Sequence, residues 1–267
     1  MDLSIIIVNY NSRVKLLACL DCLAQADFSG LKHEVIVVDN NSQDDLNDLA
    51  SQYPDAKIII SPKNLGMGGG NNLGIGAASG EYVFILNPDT IMRERAIPIL
   101  FNYLKNNPDV GLIGPKLLYP DGSLQDSCAR FPLFFMPLLR RTFLGRFFKG
   151  LRAEFVMNDF DHNSIRPVDW LMGSCLMFKK KLRLSDGSDF FPRFDERYFM
   201  YFEDTDLARQ IWTKGFKVVY NPEAVVIHDH ARASAKYPWY SAVFRDKMAR
   251  VHIQSWLKYF IKWGIKK

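Results

Sequence analysis

One short stretch of the chain limits its fold more than any other. The residues from Tyr82 to Leu86 are apolar and β-prone, and Asn87, Pro88 and Asp89 follow them at once. This pattern predicts a buried strand that carries a carboxylate at its carboxyl end. In an open α/β sheet the ligand crevice lies beyond these strand ends, so Asp89 is placed to meet a ligand or metal. The alternative is an ordinary Asn-Pro-Asp turn that opens the next helix.

Similar strands recur through the first half of the chain. Residues 3–9 and 33–39 are continuous apolar runs typical of buried parallel strands, and helical patterns separate them. The alternation predicts an α/β fold with a mostly parallel sheet and right-handed crossovers. Asn9, Asp39 and Asp89 each follow or end such a strand, so one crevice is expected to hold all three.

A glycine-rich segment, residues 64–74, opens a predicted helix. Glycines at a helix start let backbone N–H groups approach an anion, and the helix dipole favours phosphate there. The segment lacks the Gly-Lys-Ser/Thr of a P-loop, and it does not follow the first strand as a Rossmann fingerprint does. The alternative is that the glycines only allow the helix to pack closely on the sheet.

The second half of the chain departs from this alternation. An amphipathic helix is predicted over residues 91–104, and Pro120-Asp121-Gly122 predicts a hairpin turn, after which the rhythm of strand and helix is lost. Glu203 and Asp204 stand among aromatic residues just before another predicted helix. Partial desolvation suits such carboxylates to accept a proton, although acidic residues at helix starts often only cap them. His228 ends a further apolar strand.

Composition and charge set the outer limits. The chain has 267 residues, 48% of them hydrophobic, and suits one large domain or two small ones. Its net charge of +5 is unevenly placed, which favours an anionic surface or phosphates over nucleic acid. The basic residues form two groups: Arg140, Arg141, Arg146, Lys149 and Arg152, and then Lys258, Lys262, Lys266 and Lys267.

Three sequence patterns indicate where the protein works: leader peptides, membrane-spanning runs and cysteines. No signal peptide or spanning apolar run is visible, so we expect a cytoplasmic protein. Cys19 and Cys22 lie in a helical stretch and are predicted to be core residues, because a second pair of zinc ligands is missing. Two segments, residues 131–152 and 251–267, mix apolar and basic residues and are predicted to lie on a membrane surface. The alternatives are a packed loop for the first, and packing on the domain or on a second subunit, as in a homodimer, for the second.

Six motifs together resemble the inverting family 2 glycosyltransferases, and more narrowly their bacterial rhamnosyltransferase-like branch. They occur in the expected order at residues 5–11, 37–42, 64–72, 86–89, 170–173 and 202–207. The resemblance implies the glycosyltransferase-A fold, a nucleotide-sugar donor and a divalent cation, magnesium or manganese. It also implies a catalytic domain over residues 1–235, with a nucleotide-sugar half (1–120) and an acceptor half (121–235), followed by a basic amphipathic helix (236–267).

The resemblance assigns roles to individual residues. Asp204 is the expected catalytic base, with Glu203 second, and Asp89 and His228 are the expected metal ligands. Asn87 replaces the first aspartate of the family's Asp-x-Asp signature, which leaves fewer anionic ligands for a hard cation. The expected donor-binding residues are Asn9, Asn11, Asp39, Asn64, Gly66, Asn71, Asn87 and Asp89, and the expected acceptor-binding residues are Trp170, Gly173 and Asp206.

The implied reaction is a direct displacement that inverts the anomeric centre. A metal neutralises the leaving diphosphate while the base removes the acceptor proton. The expected donor is dTDP-rhamnose and the expected acceptor a lipid-linked glycan for cell-surface polysaccharide, met at the inner face of the cytoplasmic membrane. The alternatives are a UDP-hexose donor, a nucleotidyltransferase, or a non-catalytic module that binds nucleotides or carbohydrates.

Overall fold

The computed structural model describes residues 1–136, 139, 146–158, 160–229 and 246–265. Within these residues a nine-stranded mixed sheet has the order β3-β2-β1-β4-β10-β6-β13-β5, with β8 beside β13. Its strands are β1 (Leu3–Asn9), β2 (His33–Asp39), β3 (Ala56–Ile60), β4 (Tyr82–Leu86), β5 (Thr90–Met92), β6 (Val110–Leu118), β8 (Arg166–Pro167), β10 (Cys175–Lys179) and β13 (Lys217–His228). Two small pairs join β7 (Cys128–Ala129) to β9 (Trp170–Leu171) and β11 (Leu182–Arg183) to β12 (Asp189–Phe190).

The described helices are α1 (Arg13–Ala24), α2 (Leu49–Gln52), α3 (Gly66–Ala77), α4 (Ala96–Asn106), α5 (Lys149–Phe155), α6 (Glu203–Thr213) and α7 (Lys247–Trp263). Alternate residues of each strand face opposite sides of the sheet, so the sheet supports two cores. Ile5 and Ile7 of β1 pack with α1 and α4, whereas Ile6 and Val8 pack with α3 and α6. The predicted α/β architecture with helices on both faces is confirmed.

Six strands run in one direction: β1, β2, β3, β4, β6 and β13. Strand β10 lies antiparallel between β4 and β6, and β5 and β8 are antiparallel to β13. The mostly parallel sheet is therefore as predicted, and the loss of alternation after residue 120 corresponds to strand β10 inserting against the common direction. The carboxyl ends of β1, β2, β4 and β13 share one edge of the sheet.

The helix predicted over residues 91–104 begins only at Ala96. Residues Thr90–Met92 instead form β5, in which Thr90 pairs with His228. The prediction of the helix start was wrong because helical periodicity in the later residues was extended over a β-branched pair, Thr90 and Ile91, that finds a partner on β13. The predicted hairpin turn is present, since Leu118 bridges Leu124 and Gly122 has a φ of +82°.

Helix α7 packs its aromatic face on the domain. Tyr259 and Phe260 are buried against Tyr198 and Phe202, and the indole of Trp256 donates to the Phe134 carbonyl at 2.8 Å. This face of α7 therefore packs on the domain, as the alternative interpretation stated. The predicted membrane contact could involve only the opposite face of the helix.

Other predictions meet the described structure only in part. Cys19 is buried in the core and Cys22 packs against it. The basic residues Arg140, Arg141, Lys266 and Lys267, and the predicted domain boundary after residue 235, lie outside the described residues. In the parts of the chain that the structure describes, no helix has the length and apolar character needed to cross a bilayer.

Candidate active site

The ends of β1 and β2 meet in a polar cluster. Asn9 and Asp39 are register partners, and the Asn9 side-chain amide donates to Asp39 Oδ1 at 3.1 Å. Asp39 also accepts from the Ser42 backbone N–H at 3.2 Å and from the Ser42 hydroxyl. The carboxylate is buried and held by several donors, so its direction is fixed.

Asp44 organises this cluster, and the sequence reasoning missed it. Its Oδ2 accepts from the Asn9 amide at 3.1 Å and from the backbone N–H groups of Ser12 and Arg13 at 2.7 and 3.0 Å. From a loop distant in sequence, it thereby provides an acceptor for backbone N–H groups at the start of α1. Asn11, with a φ of +51°, accepts from the Gln43 N–H at 2.7 Å and holds the same loop.

The first turn of α3 is fixed between two segments. Gly66 has a φ of +75°, and a Cβ there would lie 2.1 Å from the Phe199 carbonyl oxygen, so only glycine fits. Buried Asn40 donates to the Gly66 carbonyl at 3.0 Å and to Asn64 Oδ1 at 3.2 Å, and it accepts from the Leu65 N–H at 2.8 Å. The helix start therefore joins the end of β2 to the chain around Phe199.

Close packing also explains part of the glycine-rich segment. A Cβ on Gly70 would meet Val8 at 2.8 Å, and one on Gly74 would meet Ile6 at 2.4 Å. Asn71 is buried on the same helix. The packing alternative therefore holds at all three positions, with Gly66 packed on Phe199 and the later glycines bringing α3 onto β1. Anion binding at the helix start stays a prediction.

Asp89 and His228 face each other across the ends of β4 and β13. Asp89 Oδ1 lies 3.4 Å from His228 Nε2, and His228 Nδ1 lies 2.7 Å from Gln125 Oε1. Burial alone would raise the pKa of Asp89, but His228 and Lys15 outweigh it and hold the pKa below its ordinary value. Lys15 Nζ lies 3.9 Å from Asp89 Oδ2 and 2.9 Å from Asp229 Oδ2.

These groups fit a divalent cation only as part of its ligand set. Gln125 Oε1 lies 2.7 Å from His228 Nδ1, so in the tautomer that carries its proton on Nδ1 the Nε2 lone pair would be available to a cation beside Asp89 Oδ1. Among the described residues no cluster of three or more His, Cys, Asp or Glu side chains is present. Sequence reasoning missed Lys15 and Gln125, since neither belongs to a recognisable motif.

Glu203 and Asp204 begin helix α6. Asp204 is partly exposed, and its carboxylate accepts from the Gly173 N–H at 2.9 Å and from the Thr205 N–H at 2.6 Å. Glu203 is buried, and its Oε2 has no hydrogen-bond partner among the described residues. Burial, with Asp204 adding to it, raises the pKa of Glu203 to about 8, and burial raises that of Asp204 as well.

The three residues expected to bind the acceptor lie in different surroundings. A Cβ on Gly173 would lie 3.1 Å from Asp204 Cβ, so Gly173 lets the chain approach the carboxylate closely. Trp170 lies on β9, where its indole donates to the Arg130 carbonyl at 2.8 Å. Asp206 is fully buried between α6 and α7 and does not face the opening beside Asp204.

A backbone contact connects the two groups of carboxylates. The Asn87 N–H donates to the Ser174 carbonyl at 2.9 Å, directly after Gly173. The turn that carries Asp89 is thus bonded to the segment that contacts Asp204. The strand ends place two polar pairs at one edge of the sheet, Asn9 with Asp39 and Asp89 with His228. A single crevice that holds Asn9, Asp39 and Asp89 stays a prediction.

Comparison with known proteins agrees with this arrangement. Residues 4–162 match the profile of glycosyl transferase family 2. An N-acetylglucosaminyl-diphospho-decaprenol L-rhamnosyltransferase of Mycobacterium tuberculosis is 28% identical over 249 residues, covering 87% of this chain and 79% of the relative. The rhamnosyltransferase WbbL of Escherichia coli K12 is 26% identical over 245 residues, covering 86% and 83%.

Solved structures share the fold. GalNAc-T7, solved with UDP, GalNAc and Mn²⁺, superposes with a TM-score of 0.63 at 13% identity, covering 85% of this chain and 44% of that chain. A mannosyltransferase of Pyrobaculum calidifontis, solved with GDP-Man and Mn²⁺, gives 0.57 at 18% identity, covering 98% and 71%. The fold is glycosyltransferase-A, and because the profile matches more than half of its length, the chain belongs to glycosyl transferase family 2.

Proposed function

We propose that this family 2 glycosyltransferase moves a sugar from a nucleoside-diphosphate donor to a glycan hydroxyl, with Asp204 as the catalytic base. One observation carries the proposal. A partly exposed carboxylate beside a buried one lies next to the strand edge that carries Asp89 and His228, and the Asn87–Ser174 bond holds the two parts together. The reaction needs a charge-neutralising group on one side of the anomeric carbon and a proton acceptor on the other.

The donor is proposed to bind along the ends of β1 and β2 and the start of α3. Each carboxylate oxygen has two lone pairs, so Asp39 can accept from a base N–H while it holds Asn9 and Ser42. Asn11 would lie near the base and ribose. Asn64, Gly66 and Asn71 would line the diphosphate and sugar, where the α3 dipole favours negative charge.

Asp89 and His228 are proposed to hold a divalent cation, magnesium or manganese, together with the diphosphate of the donor. When bound, such a cation would supply Lewis-acid neutralisation of charge on the leaving group. Gln125 orients His228 for this role, since its Oε1 lies 2.7 Å from Nδ1. Lys15, whose Nζ lies 3.9 Å from Asp89 Oδ2, would add a positive charge at the same place.

Asp204 and Glu203 are proposed to work as a pair with one negative charge. Glu203, with a pKa of about 8 and no partner for Oε2 among the described residues, holds its proton near neutral pH. Asp204 receives two backbone N–H groups, which favour its anionic form. Asp204 is also the member of the pair that solvent reaches. It can therefore take the proton of an acceptor hydroxyl as that oxygen attacks the sugar, and attack opposite the leaving group inverts the anomeric centre.

The proposed donor is dTDP-rhamnose and the proposed acceptor a lipid-linked glycan of cell-surface polysaccharide synthesis. Support comes from the names of two relatives, both rhamnosyltransferases, one of which acts on a decaprenyl-diphosphate sugar. A UDP-hexose is the alternative donor. A panel of nucleotide sugars, assayed for released nucleoside diphosphate, distinguishes them, and release of pyrophosphate would instead indicate a nucleotidyltransferase.

Replacing Asp204 by Asn should lower turnover by about a hundredfold to ten-thousandfold, because loss of a general base has that effect. Donor affinity should stay near that of the native enzyme, since the hydrogen bonds of the Asp204 carboxylate go to Gly173 and Thr205 and not to the proposed donor-binding residues. The measurement is release of dTDP from dTDP-rhamnose with a polyprenyl-diphosphate N-acetylglucosamine acceptor. Asp186→Asn, the same change on an exposed turn, is the matched control and should leave turnover unchanged. Normal turnover in Asp204→Asn would move the assignment to Glu203.

Replacing Asp89 by Asn should weaken Mn²⁺-dependent binding of dTDP by at least about tenfold, the lower range for losing even an outer-shell partner. The fold should remain intact, because Asp89 follows a strand and contributes no core packing. Calorimetric titration with and without EDTA measures the effect, and the two proteins should bind dTDP equally once the metal is removed. His228→Ala should show a smaller loss. An Asp89→Asn protein with unchanged dependence on Mn²⁺ would exclude Asp89 as a ligand.

The outer face of α7 is proposed to contact the inner leaflet of the cytoplasmic membrane. Leu257 and Ile261 are four residues apart on α7, so they lie on one side of the helix, and they are 44% and 82% exposed. Ile265, 63% exposed, follows Gly264 just beyond the end of the helix. An apolar stripe beside lysines such as Lys258 suits a surface of anionic headgroups. This face is smaller than the one predicted from the sequence, because the aromatic residues pack inwards.

Liposome flotation with anionic lipid at low salt tests this proposal. The native protein should float, and Leu257→Gln combined with Ile261→Gln should remain at the bottom, because the outer face of α7 has lost most of its exposed apolar area. Val14→Gln, which alters an equally exposed apolar residue on α1, should float as the native protein does. Flotation of the double variant, or a native dimer that the double variant dissociates, would assign the face to something other than the membrane.

A further inference from the structure

We infer that helix α7 is a positioning element of the active site, which acts on Asp204 through the segment of residues 197–206. The inference rests on the proposed role of Asp204. No residue of α7 has a recorded hydrogen bond to Asp204; the connection is made through the chain on either side of it. Three sets of contacts made by α7 support the inference.

The first observation is a strained approach to helix α6. Tyr201 and Phe202 have φ values of +68° and +69°. Two consecutive aromatic residues in the left-handed region are unfavourable for L-amino acids and persist only where the surroundings hold them. This conformation directly precedes Glu203 and Asp204, so whatever maintains it also sets where the two carboxylates point.

Helix α7 provides these surroundings. The ring of His252 lies 4.8 Å from that of Tyr201 and 5.6 Å from that of Phe202, centroid to centroid. One pair of turns later, the ring of Tyr259 lies 5.3 Å from that of Phe202. Both left-handed residues therefore pack their side chains on the same helix.

The backbone just before the strained pair is also held by α7. Ser255 Oγ donates to the Met200 carbonyl at 2.8 Å, and Lys258 Nζ donates to the Arg197 carbonyl at 2.6 Å. Ser255 and Lys258 are three residues apart, so the two donors lie on the same side of the helix. They satisfy carbonyl groups in a stretch that belongs to no helix or strand, and so restrict its movement.

The last turn of α7 holds the other side of Asp204. Asp206 is fully buried, and its carboxylate receives Lys262 Nζ at 2.8 Å and Trp263 Nε1 at 2.6 Å. Gln210 Nε2 adds a third donor at 2.7 Å. A buried carboxylate without such partners is strongly unfavourable, so this cluster ties the first turn of α6 to the end of α7.

Asp204 thus lies between two anchored points, the strained pair before it and Asp206 after it. Its own hydrogen bond to the Gly173 N–H depends on where α6 begins. A shift of about 1 Å in a reacting group can lower a rate by about a hundredfold. The strand ends that carry Asp39, Asp89 and His228 are held by the sheet, so they do not require α7. The start of α3 packs on Phe199, so it is a donor-side element that the segment held by α7 does contact.

The test uses Lys262→Met and Trp263→Phe, which keep most of the packing and each remove one donor to Asp206. We expect kcat to fall by about ten- to a hundredfold. Affinity for dTDP with Mn²⁺ should change much less, because of the donor-side elements only the start of α3 contacts this segment. Lys262→Arg should recover most of the turnover. Gln254→Ala, on the exposed side of the same helix, is the matched control and should match the native enzyme.

Amide hydrogen exchange of residues 199–206 makes the test independent of the base assignment. Exchange there should be faster in Lys262→Met and unchanged in Gln254→Ala. Native kcat in the folded Lys262→Met and Trp263→Phe variants would overturn the inference, as would a loss of kcat with unchanged exchange. Failure of the proposed function is a different result, namely normal turnover in Asp204→Asn, and is therefore distinguishable.

Discussion

The proposed reaction depends on two neighbouring carboxylates at the start of α6, of which Glu203 is buried and Asp204 is partly exposed. An ionised carboxylate that is buried without a partner is costly, so burial raises its pKa. Burial raises the pKa of both groups, to about 8 for Glu203, and two backbone N–H groups that bond Asp204 oppose the rise there. We therefore propose that Glu203 keeps the shared proton and that Asp204 carries the charge. The contacts from Gly173 to the buried end of α7 surround this pair.

Sheet topology explains how residues far apart in sequence meet. Four strands of common direction, β1, β2, β4 and β13, end at one edge, which gathers Asn9, Asp39, Asp89 and His228. Strand β10 runs the other way between β4 and β6, so the chain that enters it lies at the same edge. This reversal brings Ser174 to Asn87 and Gly173 to Asp204. The turn that carries Asp89 and the carboxylate of Asp204 are therefore connected through the two residues that precede β10.

The sequence predicts the parallel strands of the first half of the chain well, because β-branched runs that end in polar residues are compatible with few structures other than a buried strand. Strands β1, β2 and β4 begin and end where expected. The helix start at residue 91 was wrong because pairing of β5 with β13 is a long-range contact that local periodicity does not contain.

Single residues that act across the fold escaped sequence reasoning for the same reason. Asp44 completes the start of α1, and Gln125 orients His228 from over a hundred residues away. Asp206 was expected on the acceptor side from its motif, but it lies buried against Lys262 and Trp263. The amphipathic pattern of α7 correctly predicted a helix, yet it does not say which of two apolar faces meets the domain.

Carbon-13 NMR titration of the carboxyl groups tests the central claim most directly, with Glu203→Gln and Asp204→Asn used to assign the pair. The titration reports macroscopic values for two interacting groups, so the pair is followed as a unit. One proton should be released near pH 8, far above the ordinary glutamate value of 4.5, and this step should be absent in Glu203→Gln. Titration of both carboxyl groups at ordinary acidic values in the native protein would contradict the account.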